Sequence, residues 1–158
     1  MDLPAIASIA ALAGIPAALV AARWQTKTAV AQTHAQHESA VHQHHLAARR
    51  ASYAALIAQA TIFRREAWDR AASEPLEPAA MTPAALATFE ALALVKLDAP
   101  AALLDLVEEV NEQAATLNGY MTCGGSMDDI QAACRELRDA VNAFTKRARE
   151  SLYGGSGW

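Results

Sequence analysis

The chain has 158 residues, a formal net charge of −4 and only two cysteines. This charge excludes a general attraction to nucleic acid or to anionic lipid, and two cysteines are too few for a disulfide framework. Aromatic residues make up 6% of the chain and alanine is abundant, which favours helix over sheet. We therefore expect an all-α protein with one folded domain, no nucleic-acid partner and a reducing environment.

The N-terminal segment, residues 3–22, contains no charged side chain. A helix of this length spans about 30 Å, which is the thickness of the hydrocarbon core of a bilayer. A cleaved signal peptide would begin with a positive region, whereas Asp2 carries the only side-chain charge before this segment. We predict a transmembrane helix as a single-pass membrane anchor over residues 1–24. A signal peptide and a helix buried in protein are the alternatives.

The charges that flank this segment predict its orientation. Arg23 and Lys27 follow it closely, and no Lys or Arg precedes it. Because cytoplasmic flanks carry the excess of Lys and Arg, we expect the N-terminus outside the cell membrane and the C-terminal domain in the cytoplasm. Trp24 lies where an aromatic side chain commonly marks the membrane interface.

After the anchor, one long helix is predicted to about Ala72, and it carries two seams. Residues 25–45 form a His-rich helical stalk with these inward positions: Val30, His34, His37, Val41 and His44. Their heptad spacing is typical of a coiled coil, but histidines fill most of the seam. From Leu46 onward the pattern shifts in phase to an ordinary buried face: Leu46, Tyr53, Leu56, Ile57, Ala60, Phe63 and Ala67.

A proline-rich connection over residues 73–83 separates this helix from a shorter second one. Thr82 is expected to cap the second helix, with Pro83 at its first position, and the helix runs to about Leu97. Its many apolar residues predict that most of its surface is covered, by the chain itself or by a partner. Asp98 is expected to cap the third helix.

The third and fourth helices are predicted from apolar stripes at heptad spacing. The stripe of the third helix is Leu103, Val107, Val110, Ala114 and Leu117, and Asn118-Gly119 is expected to end it. A loop over residues 120–125, which includes Cys123, leads to Ser126 as the cap of the fourth helix. The stripe of that helix is Ile130, Cys134, Leu137, Val141, Phe144 and Ala148. Short connections and matching stripes predict an antiparallel three- to four-helix bundle over residues 46–153, followed by a flexible tail over 154–158.

Three segments of the chain resemble a known kind of protein: Arg49–Ala54, Leu94–Pro100 and Phe144–Leu152. They are similar to segments of uncharacterised small actinobacterial proteins that have an N-terminal membrane anchor and a helical cytoplasmic domain. The resemblance implies that architecture and no particular activity. The histidine-rich stretch is not part of the shared pattern.

The histidines are the candidate chemistry, because all five lie between His34 and His45. On a helix, His34 and His37 share one face, and Glu38, His42 and His45 share another. Imidazole and carboxylate ligands suit Zn, so these five residues are the candidate metal ligands. One helix rarely supplies more than two well-placed ligands, so a site requires another chain. The alternative is a solvated helix surface without a ligand.

A second charged cluster contains Arg64, Arg65 and Arg70 next to Glu66 and Asp69. Three arginines suggest a phosphate site, but mixed charges on one helix are more typical of a salt-bridged solvent face. We therefore predict a solvent face here, and no catalytic residue or cofactor-binding residue is predicted in the chain.

We predict a membrane-anchored helical interaction or scaffold protein without catalytic activity, which forms a homo-oligomer through its stalk and anchor and has a protein partner. The first alternative is a metal- or pH-responsive membrane sensor that uses the His-rich stalk. The second is a soluble helical bundle whose apolar first helix is buried in an oligomer or partner.

Overall fold

The computed structural model describes the backbone of residues 4–72 and 80–153, and the side chains of 23–72 and 80–153. Within these ranges the chain forms four α-helices and no strand. The helices are α1 (Pro4–Ala71), α2 (Pro83–Asp98), α3 (Ala101–Cys123) and α4 (Met127–Tyr153). This confirms the all-α class. The predicted tail, 154–158, and most of the proline-rich connection lie outside the described residues.

The chain divides into two compact units, Met1–His45 and Leu46–Trp158. The second unit contains the hydrophobic core, and each of the four helices contributes buried side chains to it. Helix α3 packs against α4, and α2 packs against α3. The part of α1 in this unit meets α4 through Tyr53 and Phe144, whose rings lie 5.4 Å apart in an edge-to-face arrangement.

The predicted stripes of α3 and α4 are buried along their whole length. In α1 the stripe is buried at these positions: Tyr53, Leu56, Ala60, Phe63 and Ala67. Leu46 and Ile57 are half-buried at its edge. Each buried Leu, Val or Phe side chain contributes about 1.5 to 3 kcal/mol relative to an exposed one, so these stripes hold the second unit together.

Helix α2 begins as predicted, and the chain itself covers one of its faces. Thr82 accepts a hydrogen bond at Oγ1 from the Ala85 N–H at 3.2 Å, with Pro83 at the start of the helix. The inner face is buried, whereas Leu94 and Leu97 are 58% and 81% exposed, so the chain itself covers one face of α2 and cover of the other face by a partner stays a prediction. The reason is geometric: α3 covers one face of α2 and leaves the opposite face open.

Asp98 does not cap α3, contrary to the prediction. It is the last residue of α2, whose final turn is closed by the Ala99 N–H donating to the Val95 carbonyl at 2.8 Å. The residue before α3 is Pro100 in an extended conformation, and its side chain makes no capping hydrogen bond. Proline disfavours the helical conformation at the residue before it, so Ala99 is extended and α2 ends at Asp98.

Helix α3 extends beyond Gly119, where the sequence predicts its end. It stops at Gly124, whose φ of 78° is the left-handed conformation that favours glycine at a helix C-terminus. The additional turn buries Met121 and places Cys123 at the end of the helix rather than in a loop. Burial of an apolar side chain therefore outweighs the local stop signal.

Helix α4 begins with the predicted serine cap. The Asp129 N–H donates to Ser126 Oγ at 3.2 Å, and the Ser126 N–H donates to Asp129 Oδ2 at 3.2 Å. This reciprocal pair satisfies two backbone donors that have no partner inside the helix. The acidic first turn, which also contains Asp128, suits the positive end of the helix dipole.

Candidate functional site

All the predicted metal ligands lie on the stalk, residues 25–45 of α1. Every side chain in this stretch is exposed, including the five candidate ligands: His34, His37, Glu38, His42 and His45. The fifth histidine, His44, is exposed as well. The structure therefore places them at regular helical positions on an uncovered surface.

The exposed seam of the stalk contains apolar side chains as well as histidines. Val30 is 53% and Val41 is 43% exposed, and Trp24 near the start of the stretch is 73% exposed. His34 and His37 lie between the two valines on the same face, at heptad spacing. One chain by itself leaves this face in water.

A helix in this position gains little from the interactions that usually stabilise helices. Most helical stability in proteins comes from packing of one face, and the described side chains of the stalk pack on nothing. Its side-chain hydrogen bonds join hydroxyl groups to backbone carbonyls one turn earlier. Thr28 Oγ1 donates to the Trp24 carbonyl, and Thr33 Oγ1 donates to the Ala29 carbonyl. Such bonds do not stabilise a helix. The stretch therefore lacks a packing partner within the described part of the chain.

His34 and His37 line a shallow depression of about 300 Å³ together with Val30 and Thr33. Among the described residues, no group of three or more His, Cys, Asp or Glu side chains is placed to hold a metal ion. A structural zinc site takes four protein ligands, so this face of one chain supplies at most half of one. The predicted metal site thus stays a prediction that requires a second chain.

The arginine cluster on α1 is exposed at Arg65, Glu66 and Asp69 and half-buried at Arg64 and Arg70. Among the described residues, neither Arg64 nor Arg65 forms an ion pair with Glu66 or Asp69. Arg64 is half-buried because it lies at the edge of the contact between α1 and α4. Sequence spacing along one helix could not show this, because the neighbouring groups come from α4.

The two cysteines have different environments. Cys134 is buried, and its Sγ donates a weak hydrogen bond to the Arg64 carbonyl at 3.6 Å. Burial raises the pKa of the Cys134 thiol, against the opposing effect of the charges on Arg64 and Arg135. The thiol form is therefore favoured, which suits a packing residue and not a nucleophile. Cys123 is exposed and free.

Among the residues whose side chains are described, no helix segment combines the length and the hydrophobicity that crossing a membrane requires. The side chains of the predicted anchor, residues 3–22, lie outside these residues. Comparisons with protein-family models, with curated proteins and with solved structures find no match for this chain.

Proposed function

We propose that this chain is a membrane-anchored interaction protein that assembles through its stalk. Residues 3–22 hold it in the cell membrane, the second unit lies in the cytoplasm, and two or more stalks associate in parallel. In the proposed assembly the helices of the second unit form an antiparallel bundle that presents a surface to a protein partner. We assign no catalytic activity to it.

The observation that supports this proposal best is the exposure of the stalk seam. A heptad seam with Val30 and Val41 at its apolar positions is exposed in the single chain, and the described side chains around it offer no cover. A second copy would bury both valines and the stems of the histidines between them. Polar residues at seam positions lower the stability of a coiled coil but define its register.

Disulfide cross-linking in intact membranes tests the parallel stalk. The variant is Val41→Cys in a Cys123→Ser background, which removes the exposed native thiol. In a parallel assembly the two introduced thiols face each other, so mild oxidation should yield a dimer-sized product. Ser39→Cys is the matched control, because Ser39 is also exposed but points away from the seam. Equal cross-linking of both variants, or of neither, would contradict the proposal.

Two further measurements test the membrane part of the proposal. The full chain should stay with the membrane pellet after a carbonate wash, because an inserted helix resists extraction. A reporter fused after Trp158 should be active only in the form that works in the cytoplasm. Release by carbonate would favour the alternative, in which the first helix is buried in a soluble oligomer. Activity of an exported reporter would reverse the orientation.

A metal- or pH-responsive sensor is the second candidate, and the shared depression at His34 and His37 favours it. In a parallel pair these residues from two chains would provide four imidazoles in adjacent layers, a suitable set for Zn. Protonation would place like charges in the same interface, and metal would compete with protons for the nitrogens.

Sedimentation of the full chain in detergent tests this second candidate. The assembly should weaken between about pH 7 and 5 and strengthen when Zn is added. His37→Ala combined with His44→Ala should remove both responses, whereas Gln43→Ala, which changes an exposed residue beside the seam, should keep them. An unchanged mass at both pH values, with Zn and with a chelator, would exclude the sensor.

A further inference from the structure

A cleft of about 570 Å³ lies between α1 and α4 in the second unit. Its volume falls within the range of sites that bind small organic molecules. Two arginines from each helix line it: Arg64 and Arg65 from α1, and Arg135 and Arg138 from α4. Residues 70 positions apart in the chain are thus brought to one place, and Cys134 Sγ bonds to the Arg64 carbonyl at its base.

The residues that line this cleft carry more positive than negative charge, with four arginines and one aspartate. Arg64, Arg65 and Arg135 form no ion pair among the described residues, and Arg138 pairs with the adjacent Asp139 at 3.0 Å. Asp69 is the one acidic residue among those that line the cleft, so it offsets one of the four positive charges there. Four cations therefore lie together in a chain whose formal net charge is −4.

The cleft also has an apolar wall. Trp68 and Ile62 on α1 line it, and these side chains are 41% and 46% exposed. An indole ring offers a flat surface on which another ring can stack. Large apolar side chains next to convergent charged groups are the usual composition of a ligand site.

We propose that this cleft binds a small organic phosphate, with the phosphate held by the arginines and a planar apolar part held against Trp68. Guanidinium groups bind phosphate oxygens with two parallel hydrogen bonds, and such charge-assisted bonds are stronger than neutral ones. The cleft is larger than a phosphate group requires, and the remaining space beside the Trp68 indole suits the planar apolar part of the ligand. A long polyanion is not the expected ligand, because the negative charge of the rest of the chain repels it.

Fluorescence of Trp68 reports binding directly. The chain has three tryptophans, so the variant Trp24→Phe with Trp158→Phe leaves Trp68 as the single indole. The full chain in detergent is titrated with ATP, with adenosine and with pyrophosphate at low salt. ATP should change the Trp68 emission saturably, pyrophosphate should bind more weakly, and adenosine more weakly still. Added salt should weaken the binding of ATP.

Substitutions of the arginines separate this site from an ordinary charged surface. Arg65→Gln and Arg135→Gln should each weaken ATP binding about tenfold, because each removes a charge-assisted hydrogen bond. Arg149→Gln is the matched control, since Arg149 is an exposed arginine of α4 that does not line the cleft. Calorimetric titration of the unaltered chain and of the arginine variants provides a second readout, and thermal melting confirms that each variant is folded.

Each outcome decides the proposal. No saturable response to any of the three compounds, or equal affinity for ATP in the Arg65, Arg135 and Arg149 variants, would overturn it. Equal binding of adenosine and ATP would exclude the phosphate contact. Equal binding of pyrophosphate and ATP would exclude the contact with Trp68.

Discussion

The two described parts of α1 differ in what covers them. The stalk, residues 25–45, is exposed at every side chain, whereas residues 46–71 bury a stripe that includes Leu56 and Phe63. Both parts have apolar or aromatic residues at helical spacing, and both belong to one continuous helix. Spacing therefore identifies a face suited to packing, whereas the rest of the fold decides whether the chain covers that face itself.

The chemistry of the two seams explains the difference. The covered part contains large apolar side chains, whose transfer from water contributes about 1.5 to 3 kcal/mol each. The stalk seam consists mostly of histidines, which lose hydration when they are buried and gain less from packing. A histidine seam is therefore suited to reversible association between chains and is poorly suited to a permanent core.

The largest expected difference between the two parts comes from deleting one apolar side chain in each. Leu56→Ala should lower the free energy of unfolding by about 2 to 5 kcal/mol, because the side chain is fully buried. Val41 is exposed, so Val41→Ala should change the free energy of unfolding by less than about 0.5 kcal/mol. Thermal melting of the full chain, followed by circular dichroism at low protein concentration, measures both. Similar losses would show that the stalk seam is buried in the folded chain.

A smaller effect is expected at the turn between α3 and α4, and it tests whether the stability of the second unit is independent of the stalk. Gly124→Ala should destabilise the second unit by about 1 to 2 kcal/mol, because φ is 78° there. Gly119→Ala should instead stabilise it by up to about 1 kcal/mol, because Gly119 lies inside α3 and nothing lies within 4 Å of an added Cβ.

Denaturant titration compares these two glycine variants. If Gly119→Ala is the more damaging change, α3 ends where the sequence predicts and not at Gly124. Neither change should alter cross-linking at Val41, because the stalk seam does not include the turn.

The covered part of α1 also contains a defect whose removal should stabilise it. The Tyr53 hydroxyl is buried without a hydrogen-bond partner among the described residues, which costs about 1 to 3 kcal/mol. Tyr53→Phe keeps the edge-to-face contact with Phe144 and should raise the free energy of unfolding by about 1 kcal/mol. Urea titration checks this, and a loss of stability would mean that the hydroxyl has a partner.

The same hydroxyl has a pH signature. Burial raises the pKa of Tyr53 above its ordinary value of 10.0, the charge on Asp98 raises it further, and Arg49 opposes both. The stability from keeping the hydroxyl neutral is fully present below about pH 10 and is lost as the pH rises through the raised pKa. Tyr53→Phe should therefore unfold less readily at alkaline pH than the unaltered chain, although the buried thiol of Cys134 still titrates.

The smallest expected change in unfolding comes from the histidines of the stalk. His37→Ala combined with His44→Ala should change the free energy of unfolding of the single chain by less than about 0.5 kcal/mol, because both side chains are exposed. The same double variant is expected to alter association of the stalks. Melting measures the stability that comes from residues 46–71, and sedimentation measures the association of the stalks, so both are performed on one sample. A large loss of stability without a change in association would reverse their proposed roles.

Local sequence patterns are enough to predict the helical class, the buried stripes of α3 and α4 and the caps at Thr82 and Ser126. These features depend on residues close together in the chain: heptad spacing selects one face, and a cap bonds to backbone groups three residues away. Their energies are local or repeat along one helix, so they can be inferred without knowledge of the partner element.

Packing between the helices decides which faces are buried and which side chains from distant segments lie close together. It extended α3 past Gly119 because burial of Met121 outweighs a local stop signal, and it left the outer face of α2 in water because α3 covers one side. It also brought Arg135 and Arg138 to Arg64 and Arg65, which the spacing of α1 cannot reveal. These outcomes depend on contacts between residues far apart in the chain, whose energies exist only once the helices have packed.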